Sequence, residues 1–187
     1  VKYTVLEDQT VRIDQISVKS TGITIPARIE GMPVSAIGTR ALKGLSSVTS
    51  ITLPNTLTSI EDYAFMNCTS LSGCNIPATV TRIGSNAFYN TKLSSNWKSR
   101  EFVILGDGVL YQYNGKAQEI TVPDTVKVIG EGVFAYQTNL QKVILHEGLT
   151  EIGDGAFLYC QSLASVELPD TVTCVGNAAF SGCTGLK

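Results

Sequence analysis

The sequence predicts a right-handed α/β solenoid. Short strands would stack into a parallel β-sheet on one face, with short helical or 3₁₀ turns and extended segments on the other. Three observations predict it. Phe65, Phe88, Phe134, Phe157 and Phe180 fall on one 23-residue period, with Leu42 one slot earlier and Tyr111 in the skipped slot. Pairs of apolar residues two apart recur on the same period and are followed by proline. Most other residue types return in phase with them, so each unit buries its apolar face only against its neighbours.

Residues 1–37 read as an N-terminal cap plus a first atypical coil. The stretch "YTVLEDQTVRIDQISV" alternates apolar and polar residues, which is strand patterning. Five extra residues then separate Pro26 from Val34, compared with later units. Terminal repeats depart from consensus because they cover the open end of the core. Residues 38–187 form the repeat array, and the whole reads as a single continuous domain. Seven slots fit between about residue 24 and Leu186.

Within the array each position has a physical job. Ile51, Cys74, Ile120, Val143 and Val166 form one inward ladder, and Leu53, Ile76, Val122, Leu145 and Leu168 a second. Pro54, Pro77, Pro123 and Pro169 end the strands, since proline has no N–H to donate, and His146 takes the same slot. Thr56, Thr79, Thr125 and Thr171 place a hydroxyl at the bend, where it can satisfy backbone groups. The chain turns inward again at Leu57, Val80, Val126, Leu149 and Val172, and at Ile60, Ile83, Ile129, Ile152 and Val175. Gly84, Gly130, Gly153 and Gly176 come next and are read as positive-φ positions. Asp62, Ser85, Asp154 and Asn177 follow as N-caps of the short helical turn that carries the phenylalanine.

Residues 94–119 keep phase, since Pro77 and Pro123 are 46 apart, but lose the pattern. Alternation around Gly106-Asp107-Gly108 in "EFVILGDGVLYQYNG" suggests a hairpin or an irregular coil. Trp97, the only tryptophan, lies just ahead of it. A variant repeat is where a function-specific protrusion would sit.

Composition narrows the function classes. Net charge is −2 and no cluster of Lys or Arg exists, which argues against nucleic acid. No apolar run approaches the roughly 20 residues of a membrane span. The chain starts at Val1, so an upstream segment such as a signal peptide is expected to have been removed. Cys68 and Cys160 lie four repeats apart, well beyond disulfide reach. Cys160 and Cys183 are one repeat apart and could bond, although buried free thiols are the expectation. No CxxC spacing suggests zinc, and no cofactor is expected. The single histidine, His146, sits in a strand-ending slot and is read as a solvated loop residue. Carboxylates such as Asp124, Asp154 and Asp170 lie at turns, so no enzyme is expected.

The units "SITLPNTLTSIEDYAFMNCTSL" and "SVELPDTVTCVGNAAFSGCTGL" resemble the BspA-like leucine-rich repeats of bacterial cell-surface proteins, over about residues 24–187. They differ from the general leucine-rich pattern by having threonine where asparagine is usual. The resemblance implies a leucine-rich-repeat solenoid and a secreted or surface-anchored protein that binds host proteins or other cells.

Three surfaces are candidates for binding. Residues facing away from the core on the strands include Thr52, Asn75, Thr121, Ile144 and Glu167, with Lys142 beside them. Tyr113, Tyr136 and Tyr159 form a tyrosine ladder two residues past the aromatic slot. Trp97 and the variant repeat are the third. The leading expectation is a non-enzymatic, adhesin-like module whose partner is a host matrix or cell-surface protein, with glycan as a second partner class. The alternative is a structural spacer that presents other domains. Leu186 and Lys187 stop where another strand is due. Either the full protein continues, or the open end associates with a second copy.

Overall fold

The computed structural model describes residues Val1–Lys187, which divide into two compact units, Val1–Ser99 and Arg100–Lys187. Each is a β-solenoid segment, and the chain makes about seven coils in all.

The first unit opens with an antiparallel hairpin, β1 (Lys2–Val5) and β2 (Val11–Gln15). After β3 (Gly22–Thr24), β4 (Arg28–Ile29) and β5 (Met32–Ile37) form a second small hairpin. Its tip is Glu30 and Gly31, both at positive φ (51° and 82°), as a two-residue hairpin turn demands. This hairpin accommodates the extra residues between Pro26 and Val34. The regular coils follow with β6 (Ser50–Thr52), β7 (Ser59–Ile60), β8 (Gly73–Asn75) and β9 (Arg82–Ile83). Two parallel ladders result, β3-β6-β8 and β2-β5-β7-β9, with β1 outside β2. In the first, Ile23, Ile51 and Cys74 are in register. In the second, Ile37, Ile60 and Ile83 are. The one α-helix, α1 (Lys92–Asn96), is started by a capping box between Thr91 and Ser94.

The second unit repeats this plan. The variant stretch forms an antiparallel hairpin, β10 (Phe102–Leu105) and β11 (Val109–Tyr113). Next come β12 (Glu119–Thr121), β13 (Val128–Ile129), β14 (Lys142–Ile144), β15 (Glu151–Ile152), β16 (Ser165–Val166) and β17 (Cys174–Val175). They build two ladders, β12-β14-β16 and β10-β11-β13-β15-β17. The variant repeat is therefore built like the start of the first unit, a hairpin whose second strand begins a parallel ladder.

The register there differs from the sequence expectation. Leu110 pairs with Ile129, 19 residues on, whereas Ile129 pairs with Ile152 at the full 23. The shortened coil moves Tyr113, rather than Tyr111, into the aromatic stack, with its ring 5.1 Å from Phe134. Tyr113 is consequently buried and is not part of an exposed tyrosine ladder.

Phenylalanine forms the spine of each core. Phe65, Phe88, Phe134 and Phe157 are completely buried. Phe65 stacks on Phe88 at 5.0 Å in the first unit. Phe157 stacks between Phe134 at 5.0 Å and Phe180 at 5.2 Å in the second. Trp97, expected on a binding surface, is 5% exposed and packs edge-on against Phe88 at 5.4 Å. It follows α1 as the C-cap, which turns the indole inward.

The phenylalanine segments are not helices. Residues at slots four apart take left-handed φ in every regular coil: Arg40 and Gly44, Tyr63 and Asn67, Asn86 and Asn90, Gly132 and Tyr136, Gly155 and Tyr159, Ala178 and Gly182. A left-handed residue interrupts a right-handed helix. Single turns form instead, and alternate N–H groups point to the next coil. Tyr63, Phe65 and Asn67 donate to the carbonyls of Ser85, Ala87 and Tyr89 at 2.8–3.0 Å. Gly155, Phe157 and Tyr159 donate likewise to Asn177, Ala179 and Ser181. The expected N-caps act between coils too: Asp62 Oδ1 accepts from the N–H of Ser85 at 2.9 Å and Asp154 Oδ1 from Asn177 at 2.6 Å.

Glycine at the slot after isoleucine answers to space, not to φ. A Cβ on Gly153 would lie 2.9 Å from both the Glu131 nitrogen and the Ile129 oxygen. On Gly130 it would lie 2.8 Å from the Leu110 oxygen. At these two positions the coils approach too closely for a Cβ without a shift, although the same slot holds Glu61 after Ile60.

Candidate interaction surfaces

The threonine slot behaves as chemistry requires. Thr56, Thr79 and Thr171 donate their hydroxyls at 2.7–2.8 Å to the carbonyls of Val34, Leu57 and Leu149, in the preceding coil. Where that slot holds Gly148, the His146 ring fills the space, since a Cβ there would lie 2.9 Å from His146 Cε1. His146 is thus half-buried rather than a solvated loop residue, and its Nε2 is buried without a hydrogen-bond partner.

The five cysteines are free. Cys68, Cys160 and Cys183 each donate Sγ–H to a carbonyl 26 residues earlier, those of Leu42, Phe134 and Phe157, at 3.0–3.1 Å. They are structural thiols, and Cys160 is not bonded to Cys183. Burial, with a smaller contribution from neighbouring Cys183, pushes the Cys160 thiol up from 9.0 to about 11. The native thiol therefore keeps its proton through a range in which an unfolded chain has released it. Its stabilising contribution is complete below pH 9.0 and is lost as pH rises from there to about 11. Denaturant midpoints measured between those limits are expected to fall with pH, and to fall less steeply in Cys160→Ala.

The strand residues predicted to face outward do so. In the first unit Thr52 and Asn75 are exposed and directly paired across β6 and β8. Asn75 also has a structural role, since its Oδ1 accepts from the N–H of Leu53 at 3.1 Å. In the second unit Thr121 pairs with Ile144, and Lys142 pairs with Glu119 on one side and Ser165 on the other. All five are exposed, as is Glu167 just beyond β16. Ile144 is 44% exposed in the middle of this polar set. Tyr136 and Tyr159 are exposed at 65% and 45% and stack on one another, apart from the sheet residues. Trp97 and Tyr113, buried in the cores, belong to neither surface.

No group of three or more His, Cys, Asp or Glu is placed to hold a metal ion. No helix is long and apolar enough to cross a membrane.

Sequence reasoning missed the paired left-handed slots. Their signal was present, because asparagine and glycine fill Gly44, Asn67, Asn86, Asn90, Gly132, Gly155 and Gly182, and these are the residues that tolerate such a conformation. The tyrosines sharing the slots obscured it.

Short parallel strands in register on two ladders, a stacked phenylalanine spine and 23-residue coils define a leucine-rich-repeat β-solenoid. The chain belongs to the BspA type leucine rich repeat family, which matches in six copies over residues 35–114 and 104–187. That is a repeat family, and no catalytic family is indicated. Among solved structures the chain is similar to a leucine rich cell surface protein from Faecalibacterium prausnitzii A2-165, at 29% identity and a TM-score of 0.52. The similarity covers 99% of this chain and 51% of that one, so the chain spans about half its length. It is also similar to a leucine rich repeat protein of T. pallidum, at 27% identity and a TM-score of 0.56, over 100% of this chain and 87% of that one. No curated protein matches.

Proposed function

We propose that this chain is a non-enzymatic protein-interaction module of a secreted or cell-surface bacterial protein. It docks a host matrix or cell-surface protein on the sheet face of the second unit. The observation that carries this reading is Ile144, a large apolar side chain 44% exposed, with Thr121 paired opposite it and Lys142 and Glu167 exposed on the same unit's sheet strands or just beyond them. An apolar anchor inside a polar rim is the composition of a protein-binding hot spot. The repeat pattern would be served equally well by a polar residue there, as by Thr52 and Thr121 in the same slot. Membership of the BspA type family and similarity to a protein named as a cell surface protein support the compartment.

The test is binding to immobilised host matrix and cell-surface proteins. Ile144→Asp is expected to weaken capture roughly tenfold or more, and Lys142→Glu and Glu167→Lys to weaken it less. Thermal stability should change by no more than about 1 kcal/mol in any of them, the small losses coming from Asp in a strand at Ile144 and from Glu opposite Glu119 at Lys142. Unaltered capture in all three variants would leave the spacer reading standing.

A further inference from the structure

The second unit carries an exposed column that neither its core nor its sheet face uses. Tyr136 and Tyr159 stack with ring centroids 5.5 Å apart and planes 24° apart. Gly182 takes the same slot one coil on, where a Cβ would collide with the Tyr159 ring. The glycine lets that ring lie flat along the coils. Both tyrosines have left-handed backbones, φ +63° and +57°, which bulky side chains rarely adopt. The slot in the first unit holds Asn67 and Asn90 at φ +63° and +55°, joined by an amide hydrogen bond of 3.0 Å. Asparagine suits this backbone, so folding alone does not call for tyrosine. Strained aromatic residues held open to solvent point to a use.

The surroundings indicate which use. Residues 132–141, 155–166 and 177–186 contain no Asp, Glu, Lys or Arg. Two residues beyond the tyrosine slot runs a column of exposed neutral groups, Thr138, Gln161 and Thr184, with Asn139 and Ser162 beside it. Such a strip offers no charge partner to a phosphate, a carboxylate or a basic peptide. It suits a partner with apolar C–H faces and many hydroxyls, which is the chemistry of an uncharged sugar chain. Aromatic rings cover the C–H faces, while phenol, amide and hydroxyl groups exchange hydrogen bonds with the sugar. Coils spaced ~4.8 Å apart present these groups at an interval close to the advance of one sugar ring along an extended chain.

We propose that Tyr136 and Tyr159, with Thr138 and Gln161, form a binding site for a neutral glycan. The site is separate from the Ile144 face and does not depend on it.

The whole chain would be titrated with cellohexaose, maltohexaose and chitohexaose, with heparin and polygalacturonate as charged comparators. At least one neutral hexasaccharide is expected to bind. Tyr136→Asn and Tyr159→Asn, which install the residue found at that slot in the first unit, are each expected to weaken binding about tenfold with unfolding unchanged. Tyr159→Phe should keep most of the affinity and Ile144→Asp all of it. Three results would each overturn the proposal: no binding of any neutral hexasaccharide, equal binding of the charged polymers, or full affinity in both asparagine variants.

Discussion

Phe134→Ala is expected to destabilise the protein by about 3–5 kcal/mol. Phe134 is fully buried and lies between Tyr113 at 5.1 Å and Phe157 at 5.0 Å. Removing its ring empties a site walled by aromatic rings on both sides. Collapse into it is resisted on the Phe157 side by alternate backbone N–H groups hydrogen-bonded to the next coil, and on the Tyr113 side by the pairing of the β10–β11 hairpin. Phe134 donates to Ala156 at 2.8 Å and Phe157 to Ala179 at 2.8 Å. A rigid backbone keeps the cavity open, which places the loss toward the upper part of the range. Phe134→Leu fills much of the volume and should lose markedly less. Denaturant unfolding of both variants checks this. Equal, small losses would mean the stack is not the spine of the core. Binding lost without any change in stability would point to an exposed role that burial rules out.

How far the sequence reaches is visible in the same residues. The 23-residue return of phenylalanine reports a stack directly, because a position that is buried against its own copies must repeat. The strand ladders and the threonine hydroxyls were legible for the same reason. What the period could not show is a local change of coil length. A 19-residue step from Leu110 to Ile129 is compensated within the stretch, so the phase of the flanking prolines is kept and Tyr111 falls on the aromatic slot by count alone. The backbone chooses Tyr113. Trp97 misled differently. A lone tryptophan outside the repeat looks free of structural duty, yet the short helix before it directs the indole onto Phe88. The outward sheet residues were legible from strand alternation, since every second residue must leave the core. The left-handed slots were not, because tyrosine at Tyr63, Tyr136 and Tyr159 takes a conformation its side chain disfavours.

Gly153→Ala is expected to cost about 2–3 kcal/mol and to lower Tm on the order of 10 °C, although it adds only a methyl group at an ordinary φ. The atoms that methyl would meet are backbone: the Glu131 nitrogen and Ile129 oxygen at 2.9 Å and the Gly130 carbon at 3.0 Å. No rotamer change relieves such a contact, so the two coils must separate. Separation lengthens the hydrogen bond from the Gly153 N–H to the Ile129 oxygen, now 2.8 Å, and loosens the β13–β15 pairing beside it. Gly155, two residues on, supplies the contrast. It has φ +58° and its nearest Cβ contact would be Leu158 Cβ at an easy 3.6 Å. Its slot is held by Asn86 and Ala178 in other coils. Gly155→Asn is therefore expected to change stability by less than ~1 kcal/mol, since asparagine tolerates the left-handed region. Thermal unfolding of the two variants side by side separates the two demands on glycine. No loss at Gly153 would mean that the closeness of the coils is not what selects glycine there, and a large loss at Gly155 would mean that its left-handed backbone is the stricter demand.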